Sequence, residues 1–240
     1  MKIALIGYGK MGKAIESVAT TQGHEIILRI DASNPEGWQA PEMKQAEVAI
    51  EFTAPESAPH HLVICFELGV PVVCGTTGWL NQWEDVVSRC TALGGSFLYA
   101  SNFSVGVNLF FELNKQLARL MAPHDEYKIS LEEIHHTEKK DAPSGTAITL
   151  AEQLIANNSA KKNWVNQPTT QSVELEIISK RIDKVPGTHK ILYQSDIDSI
   201  EITHTAHNRI GFATGAVMAA KFLKGKTGIY TMQDVLGLSR

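Results

Sequence analysis

Long apolar runs are missing from this chain. No stretch approaches the ~20 residues that a membrane helix needs, so no membrane span is expected. A secretory leader is not expected either, because the opening apolar run breaks at Gly7. Cysteine is scarce: Cys65, Cys74 and Cys90 are the three present, an odd number with no C-x-x-C pair. That argues against a disulfide framework and for a reduced, cytoplasmic setting. Cys65 and Cys74 stand in apolar surroundings and read as buried thiols. Positive charge is not in excess, since 22 Lys and Arg against 26 Asp and Glu leave a net −4. Nucleic acid is therefore not the expected partner. Internal repeats and low-complexity tracts are absent as well. What is present is 240 residues, 43% hydrophobic and 20% charged, enough for one or two globular domains.

The first hundred residues alternate two patterns. Strand-like segments at 2–6, 25–30, 48–52, 71–74 and 96–100 are separated by helix-like segments at 11–22, 55–68 and 81–93. Such alternation predicts βαβ units and a parallel sheet. After residue 102 a long amphipathic helix is predicted over 105–120. Strands at 127–135, 172–181, 189–195 and 197–206 follow, the last three close together without helices between them. An antiparallel or mixed sheet is expected there. Residues 157–170 read as a connecting loop, 211–223 as a helix, and 231–236 as a short final helix. The predicted class is α/β: a Rossmann-type doubly wound parallel sheet, then an α+β domain with a mixed sheet.

Gly7-Tyr8-Gly9-Lys10-Met11-Gly12 is a G-x-G-x-x-G between the first strand and the first helix. Its glycines permit a tight turn, close approach of a pyrophosphate, and close helix–strand packing. Asp31 ends the second strand, 31 − 12 = 19 residues after the last glycine, where an acid is expected to hold the adenosine ribose. A carboxylate there favours NADH, but Lys10 and Arg29 stand nearby, so NADH and NADPH both stay open. Cys74-Gly75-Thr76-Thr77-Gly78 and Ala100-Ser101-Asn102-Phe103 follow later strands and fall at the carboxyl edge of the sheet, where ligands bind in open α/β folds.

The densest chemistry lies in Glu132-Glu133-Ile134-His135-His136-Thr137-Glu138-Lys139-Lys140-Asp141-Ala142-Pro143-Ser144-Gly145-Thr146-Ala147. Ser144-Gly145-Thr146 opens a predicted helix, whose free N–H groups and positive dipole end suit an anion. His135, His136 and Lys139 bring proton donors and cations to the same place. If the strand continues to Lys139, His135 and Lys139 share a side; a turn relaxes this. Glu132 and Glu133 read as sheet-surface charges or as orienters of the cations. A metal site with His204 and His207 as added ligands lacks a second cluster at ligand spacing, so no metal is expected.

These motifs resemble the dihydrodipicolinate reductase family, also called 4-hydroxy-tetrahydrodipicolinate reductases. The resemblance runs through the 7–12 loop, Glu51-Phe52-Thr53, Gly75-Thr76-Thr77-Gly78, Asn102-Phe103-Ser104-Val105-Gly106-Val107-Asn108, His135 to Ala147, Arg209 and Phe212-Ala213-Thr214-Gly215-Ala216-Val217. It implies NADH- or NADPH-dependent reduction of an unsaturated cyclic dicarboxylate to tetrahydrodipicolinate, in lysine and diaminopimelate synthesis. By position it makes His135 the proton donor and acceptor, and Lys139 a second proton donor. His136, Ser144, Gly145, Thr146 and Thr77 would meet substrate. Gly7 to Gly12, Asp31, Gly75, Thr76, Thr77 and Ala100 to Phe103 would meet the cofactor. It further implies a dinucleotide-binding domain at 1–103 and 210–240, a substrate and oligomerisation domain at 104–209, hinges near Phe103 and Arg209, and a homotetramer. The 7–12 loop is one residue shorter than in many members, and Asp31-Ala32 replaces a Glu-Arg pair seen in some. Two other readings compete. One is a related dehydrogenase of another small acid, whose thioester-forming kinds need a reactive cysteine. The other is an NADH-binding redox sensor, which should carry a basic DNA-reading helix that this chain lacks.

Overall fold

The computed structural model describes residues 1–208 and 210–238; Arg209, one of the expected hinge positions, lies outside the described residues. In chain order the elements are β1 (Lys2–Ile6), α1 (Lys10–Thr21), β2 (Glu25–Ile30), β3 (Val48–Glu51), α2 (Ala58–Glu67), β4 (Val72–Cys74), α3 (Trp83–Ala92) and β5 (Ser96–Tyr99). There follow α4 (Val105–Met121), β6 (Lys128–His135), α5 (Gly145–Ala156), β7 (Asn163–Val165), β8 (Glu174–Arg181), β9 (Gly187–Gln194) and β10 (Ser199–Ala206). The chain ends with α6 (Ile210–Leu223), β11 (Gly228–Tyr230) and α7 (Met232–Val235). Two compact units form, Met1–Val105 with Ile210–Arg240, and Gly106–Arg209.

The first unit is a six-stranded parallel sheet in the order β11-β5-β4-β3-β1-β2. Its strands are short and apolar because both faces are covered. Alternate residues of β1 show this. Ile3 and Leu5 pack with Ile15 and Ala19 of α1 and with Ala216, Val217 and Ala220 of α6. Ala4 and Ile6 pack on the other face with Leu62 and Cys65 of α2 and with Val86 and Cys90 of α3. The doubly wound reading is therefore correct. Since every strand is parallel, β1 to β5 all end at one edge, the edge that carries residues 7–12, 31, 51–53, 75–77 and 100–103.

The second unit is a mixed sheet in the order β10-β9-β6-β8-β7, antiparallel on the β10-β9-β6 side and parallel on the β6-β8-β7 side. One face is its core: Ile129, Leu131, Leu175, Ile177, Ile191 and Tyr193 lie under Phe110 and Ala118 of α4 and under Leu150 and Leu154 of α5. Asn114 of α4, fully buried, donates to the Leu150 carbonyl at 3.2 Å and to Gln153 Oε1 at 3.0 Å, fixing α4 against α5.

Three local expectations need correction. Residues 157–170 are not all loop, because β7 adds an edge strand there, pairing Asn163 with Glu174. Three residues are too few to show an alternation in sequence. The same brevity hid β11, which completes the parallel sheet beside β5. The 81–93 helix is a 3-10 turn at Leu80–Gln82 followed by α3. Among the described residues no helix is long and apolar enough to cross a membrane.

Candidate active site

The three glycines of the first loop have three different surroundings. Gly7 has φ +92° and donates its N–H to the Ile30 carbonyl at 2.7 Å; a Cβ there would stand 2.0 Å from the Phe52 carbonyl oxygen. A Cβ on Gly12 would stand 2.3 Å from the Gly7 carbonyl oxygen, so α1 can approach its own loop only without a side chain. A Cβ on Gly9 would meet nothing within 4 Å. Gly9 is also the N-cap of α1, which has no side-chain cap and no acid in its first turn. The fold thus demands glycine at 7 and 12, whereas Gly9 leaves open space at an unneutralised helix start. That is the environment a pyrophosphate needs.

Asp31 follows β2. Its Oδ1 accepts from the Ser33 hydroxyl at 2.5 Å and the Ser33 amide at 2.8 Å, and these bonds hold its carboxyl below the usual range. Arg29 is not free. Its guanidinium makes two bonds to Glu16 and lies 5.6 Å from the Tyr8 ring centroid, and the Tyr8 hydroxyl also donates to Glu16. Lys10 is exposed and Met11 half-buried. At the next loop a Cβ on Gly75 would collide with the Phe52 ring at 2.2 Å, Thr76 is buried, and Thr77 is exposed. Ala100 and Phe103 are buried, Ser101 is exposed, and Asn102 Oδ1 accepts from the Ser104 amide at 2.9 Å.

The second unit holds a polar cluster where β6 ends. Inward positions of β6 run Ile129, Leu131, Glu133, His135, so the apolar face turns polar within one strand. Register sets Glu133 opposite His189 on β9, and His135 opposite Arg181 on β8. Glu133 has no exposed surface. Its Oε2 lies 2.9 Å from His135 Nδ1 and 4.0 Å from His189 Nε2, and its Oε1 accepts from Arg181 at 3.0 Å. Arg181 also donates to the Asp141 carbonyl at 2.6 Å, tying the loop after β6 to β8. Burial alone would raise the Glu133 carboxyl; the neighbouring His135, Ser144, Ser179 and Arg181 groups outweigh it and hold it far below the usual range. Burial, reinforced by His135, pushes His189 down to about 3, so His189 is neutral.

The strand stops at His135, and the Lys139 amide donates to the His136 carbonyl at 3.1 Å. A turn therefore sets the place of Lys139, whose Nζ lies 2.7 Å from both oxygens of Asp141. The Ala142–Pro143 peptide is cis. Ser144 caps α5 by accepting from the Ala147 amide at 3.2 Å, and its Oγ lies 3.1 Å from His189 Nε2. Like α1, α5 starts with a glycine in open space, Gly145, and has no acid in its first turn. A Cβ on Gly187 would stand 3.0 Å from His135 Nε2, so glycine keeps that nitrogen uncovered. His136 is half-buried.

Of the two readings of Glu133, the structure rejects the sheet-surface charge and fits the orienter of cations. Arg181 and His189 were missed altogether. A signal existed, since Glu133 and His189 each occupy an inward position of an alternating strand, where a charge or imidazole needs a partner. Single donor atoms of Glu133, His135 and His189 fall within 4.8 Å of one another. Arg181 already neutralises that carboxylate, so the group is suited to holding protons more than to holding a cation. All three cysteines are buried, and burial pushes the Cys65 and Cys74 thiols far above their usual range. None is a nucleophile for a thioester-forming dehydrogenase.

Comparison with known proteins agrees with this arrangement. The family described as "Dihydrodipicolinate reductase, N-terminus" matches residues 1–103, and "Dihydrodipicolinate reductase, C-terminus" matches residues 106–236. The 4-hydroxy-tetrahydrodipicolinate reductase of Christiangramia forsetii is 48% identical over 236 residues, covering 98% of each chain. That of Neisseria gonorrhoeae is 37% identical over 208 residues, 82% of this chain and 75% of its own. A solved dipicolinate-bound dihydrodipicolinate reductase from Paenisporosarcina sp. TG-14 superposes with a TM-score of 0.75 at 20% identity, covering 96% of this chain and 97% of that one, a likeness of fold. Through both its halves, the chain belongs to the dihydrodipicolinate reductase family, oxidoreductases of lysine and diaminopimelate biosynthesis.

Proposed function

We propose that this protein reduces the unsaturated cyclic dicarboxylate derived from 4-hydroxy-tetrahydrodipicolinate to tetrahydrodipicolinate, in the cytoplasm, with NADH preferred over NADPH. The observation that carries the reading is the buried Glu133–His135–Arg181 cluster beside the open start of α5. The nicotinamide cofactor supplies a hydride to a conjugated imine. Reduction there leaves an electron-rich carbon that must take up a proton. His135 faces Glu133 through Nδ1, so Nε2, beside Gly187, is the atom that gives up the proton. Lys139 is the second donor, and Asp141 keeps its ammonium oriented. His136 and the amides of Gly145 and Thr146 hold the substrate carboxylates. Ser144 acts with them, as the cap that shapes the helix start.

On the cofactor side, Gly9 and the start of α1 receive the pyrophosphate, and Asp31 the adenosine ribose. Residues 75–77 and 100–103 form the nicotinamide side. The preference for NADH follows from two charges: Asp31 repels a 2′-phosphate, and Arg29, its nearest basic neighbour on β2, is bonded to Glu16. The protein works as a homotetramer joined through its second sheets. Support comes from the face turned away from α4 and α5, where Ile134, Ile178 and Leu192 are only half-buried between the Glu132–Lys180 and Lys190–Glu201 ion pairs.

The test follows loss of reduced-nicotinamide absorbance, with the hydroxy substrate generated in place. Wild type should turn over, and His135→Gln and Lys139→Ala should each lose about 10²–10⁴-fold in kcat while binding NADH as before. Absence of turnover in wild type with either cofactor would sink the proposal.

A further inference from the structure

Glu51-Phe52-Thr53 ends β3 and takes no part in the chemistry above, yet it contains a carboxylate with no exposed surface. A buried carboxylate is unfavourable unless donors surround it. Here they do. Oε1 accepts from the Thr53 amide at 3.1 Å, from the Thr53 hydroxyl, and from Thr76 Oγ1 at 3.0 Å; Oε2 accepts from the Cys74 thiol at 3.1 Å. The Thr53 amide also donates to Thr76 Oγ1 at 2.7 Å. His61 Nδ1 lies 3.2 Å from Thr53 Oγ1 and 3.6 Å from Glu51 Oε1. The donors closest to the carboxylate are therefore hydroxyl, thiol and amide groups from the ends of β3 and β4.

The backbone of the same segment reaches further. The Gly75 amide donates to the Glu51 carbonyl at 2.9 Å, and the Phe52 amide donates to the Ile6 carbonyl at 2.8 Å. The Phe52 ring fills the space beside Gly75, and its carbonyl fills the space beside Gly7. Residues 51–53 are thus the joint between the first glycine loop and the 75–77 loop. The carboxylate bonds to Thr53 within the joint and, beyond it, only to Cys74 and Thr76 on the second side.

We propose that Glu51 is a positioning residue for the nicotinamide end of the cofactor, its buried carboxylate locking Thr53 and Thr76 into one rigid platform. This rests on the reading of residues 75–77 as the nicotinamide side. The adenosine side uses Gly9, the start of α1 and Asp31, none of which bonds Glu51. The two ends of the cofactor should therefore respond differently to a change at Glu51.

The experiment titrates NADH, and ADP-ribose as a probe lacking nicotinamide, into wild type, Glu51→Gln and Glu51→Asp by calorimetry. Glu51→Gln keeps the volume but turns one acceptor into a donor facing donors. It should weaken NADH about tenfold and leave ADP-ribose within about twofold, and Glu51→Asp should recover most of the loss. Unchanged NADH affinity in Glu51→Gln overturns the proposal. So does an equal loss for both ligands, which reports general damage to the domain. Should Glu51→Gln fail to fold, Thr53→Val removes one clamp hydroxyl at constant shape; the same selective loss is expected, and its absence is equally fatal. Wild type that binds neither ligand would instead remove the cofactor reading on which the proposal stands.

Discussion

Among the described residues, Glu51 and Glu133 are the acids without exposed surface, and the two units accommodate them in opposite ways. In the parallel unit the carboxylate is met by hydroxyl, thiol and amide donors. In the mixed unit it is met by the Arg181 guanidinium, with the His135 imidazole at 2.9 Å and the His189 imidazole further off at 4.0 Å. Neutral donors fix loops, with the His61 imidazole standing 3.6 Å away at the edge of that cluster. A guanidinium beside two imidazoles ties the protons of that cluster to one another. In the proposed reading the first unit binds by shape and backbone, whereas the second handles protons.

The comparison breaks most visibly at Glu133. Glu133→Ala would leave the buried His135 and the part-exposed Arg181 around a missing charge. Loss of one partner of a buried pair costs about 3–5 kcal/mol. Urea unfolding of Glu133→Ala should show a loss of that order, with turnover reduced at least as far as in His135→Gln. A loss below about 1 kcal/mol would mean that water reaches the cluster, and that the contrast with Glu51 is false.

Shape is tested at Gly9. Gly9→Ala adds a methyl where the fold has open space, so stability should change by less than about 1 kcal/mol, mostly through the poorer N-cap. NADH should bind at least about tenfold more weakly, because the methyl meets the pyrophosphate. Calorimetry beside a thermal melt separates the two effects. Equal NADH affinity would show that the glycine at this position is incidental.

The proton-handling side predicts a pH dependence. The folded pKa of His189, about 3, lies below its unfolded value of 6.5. The unfolded chain takes up this proton first, so stability falls as pH drops below about 6.5, by on the order of 2 kcal/mol at pH 5. Glu133 acts in the same direction at lower pH, since its depressed carboxyl loses its contribution only below the ordinary value of 4.5. Between these limits His189→Gln should flatten the slope measured by urea titration. It will not abolish the slope, because His24 and His204 are lowered as well. An unaltered slope would place the acid sensitivity outside this cluster.

These contrasts also explain what could be read in sequence. The parallel unit was legible because backbone requirements leave glycines: Gly7, Gly9 and Gly12 announce a loop, and the acid at 31 confirms its spacing. The strands at 2–6 and 25–30 were legible because most of their residues are apolar. The polar cluster was half legible. His135, Lys139 and Ser144 lie within one segment, but Arg181 and His189 come from β8 and β9 and meet Glu133 only through strand register. Glu51 was quoted but unexplained, since its donors at 53, 74 and 76 come together only when β3 and β4 pair. Short edge strands such as β7 and β11 leave too few residues for any period.

The Glu16–Arg29 ion pair on the cofactor side gives the smallest expected effect and the finest test. Arg29 lies on β2, and Asp31 follows just after its end. Glu16 bonds the Arg29 guanidinium and raises its pKa further, so in the proposed site Asp31 is the charge set to meet the ribose. The pair is partly exposed, at 41% and 22%, and an exposed pair contributes only about 0–1 kcal/mol, so Glu16→Gln should fold normally. Freed from Glu16, Arg29 can turn toward a 2′-phosphate. The ratio of kcat/KM for NADPH over NADH should then rise by roughly threefold to tenfold, limited by repulsion from Asp31. Kinetics with both cofactors decide it. An unchanged ratio would mean that Asp31 alone sets the preference and that the Tyr8–Glu16–Arg29 contact serves only to pin the glycine loop to β2.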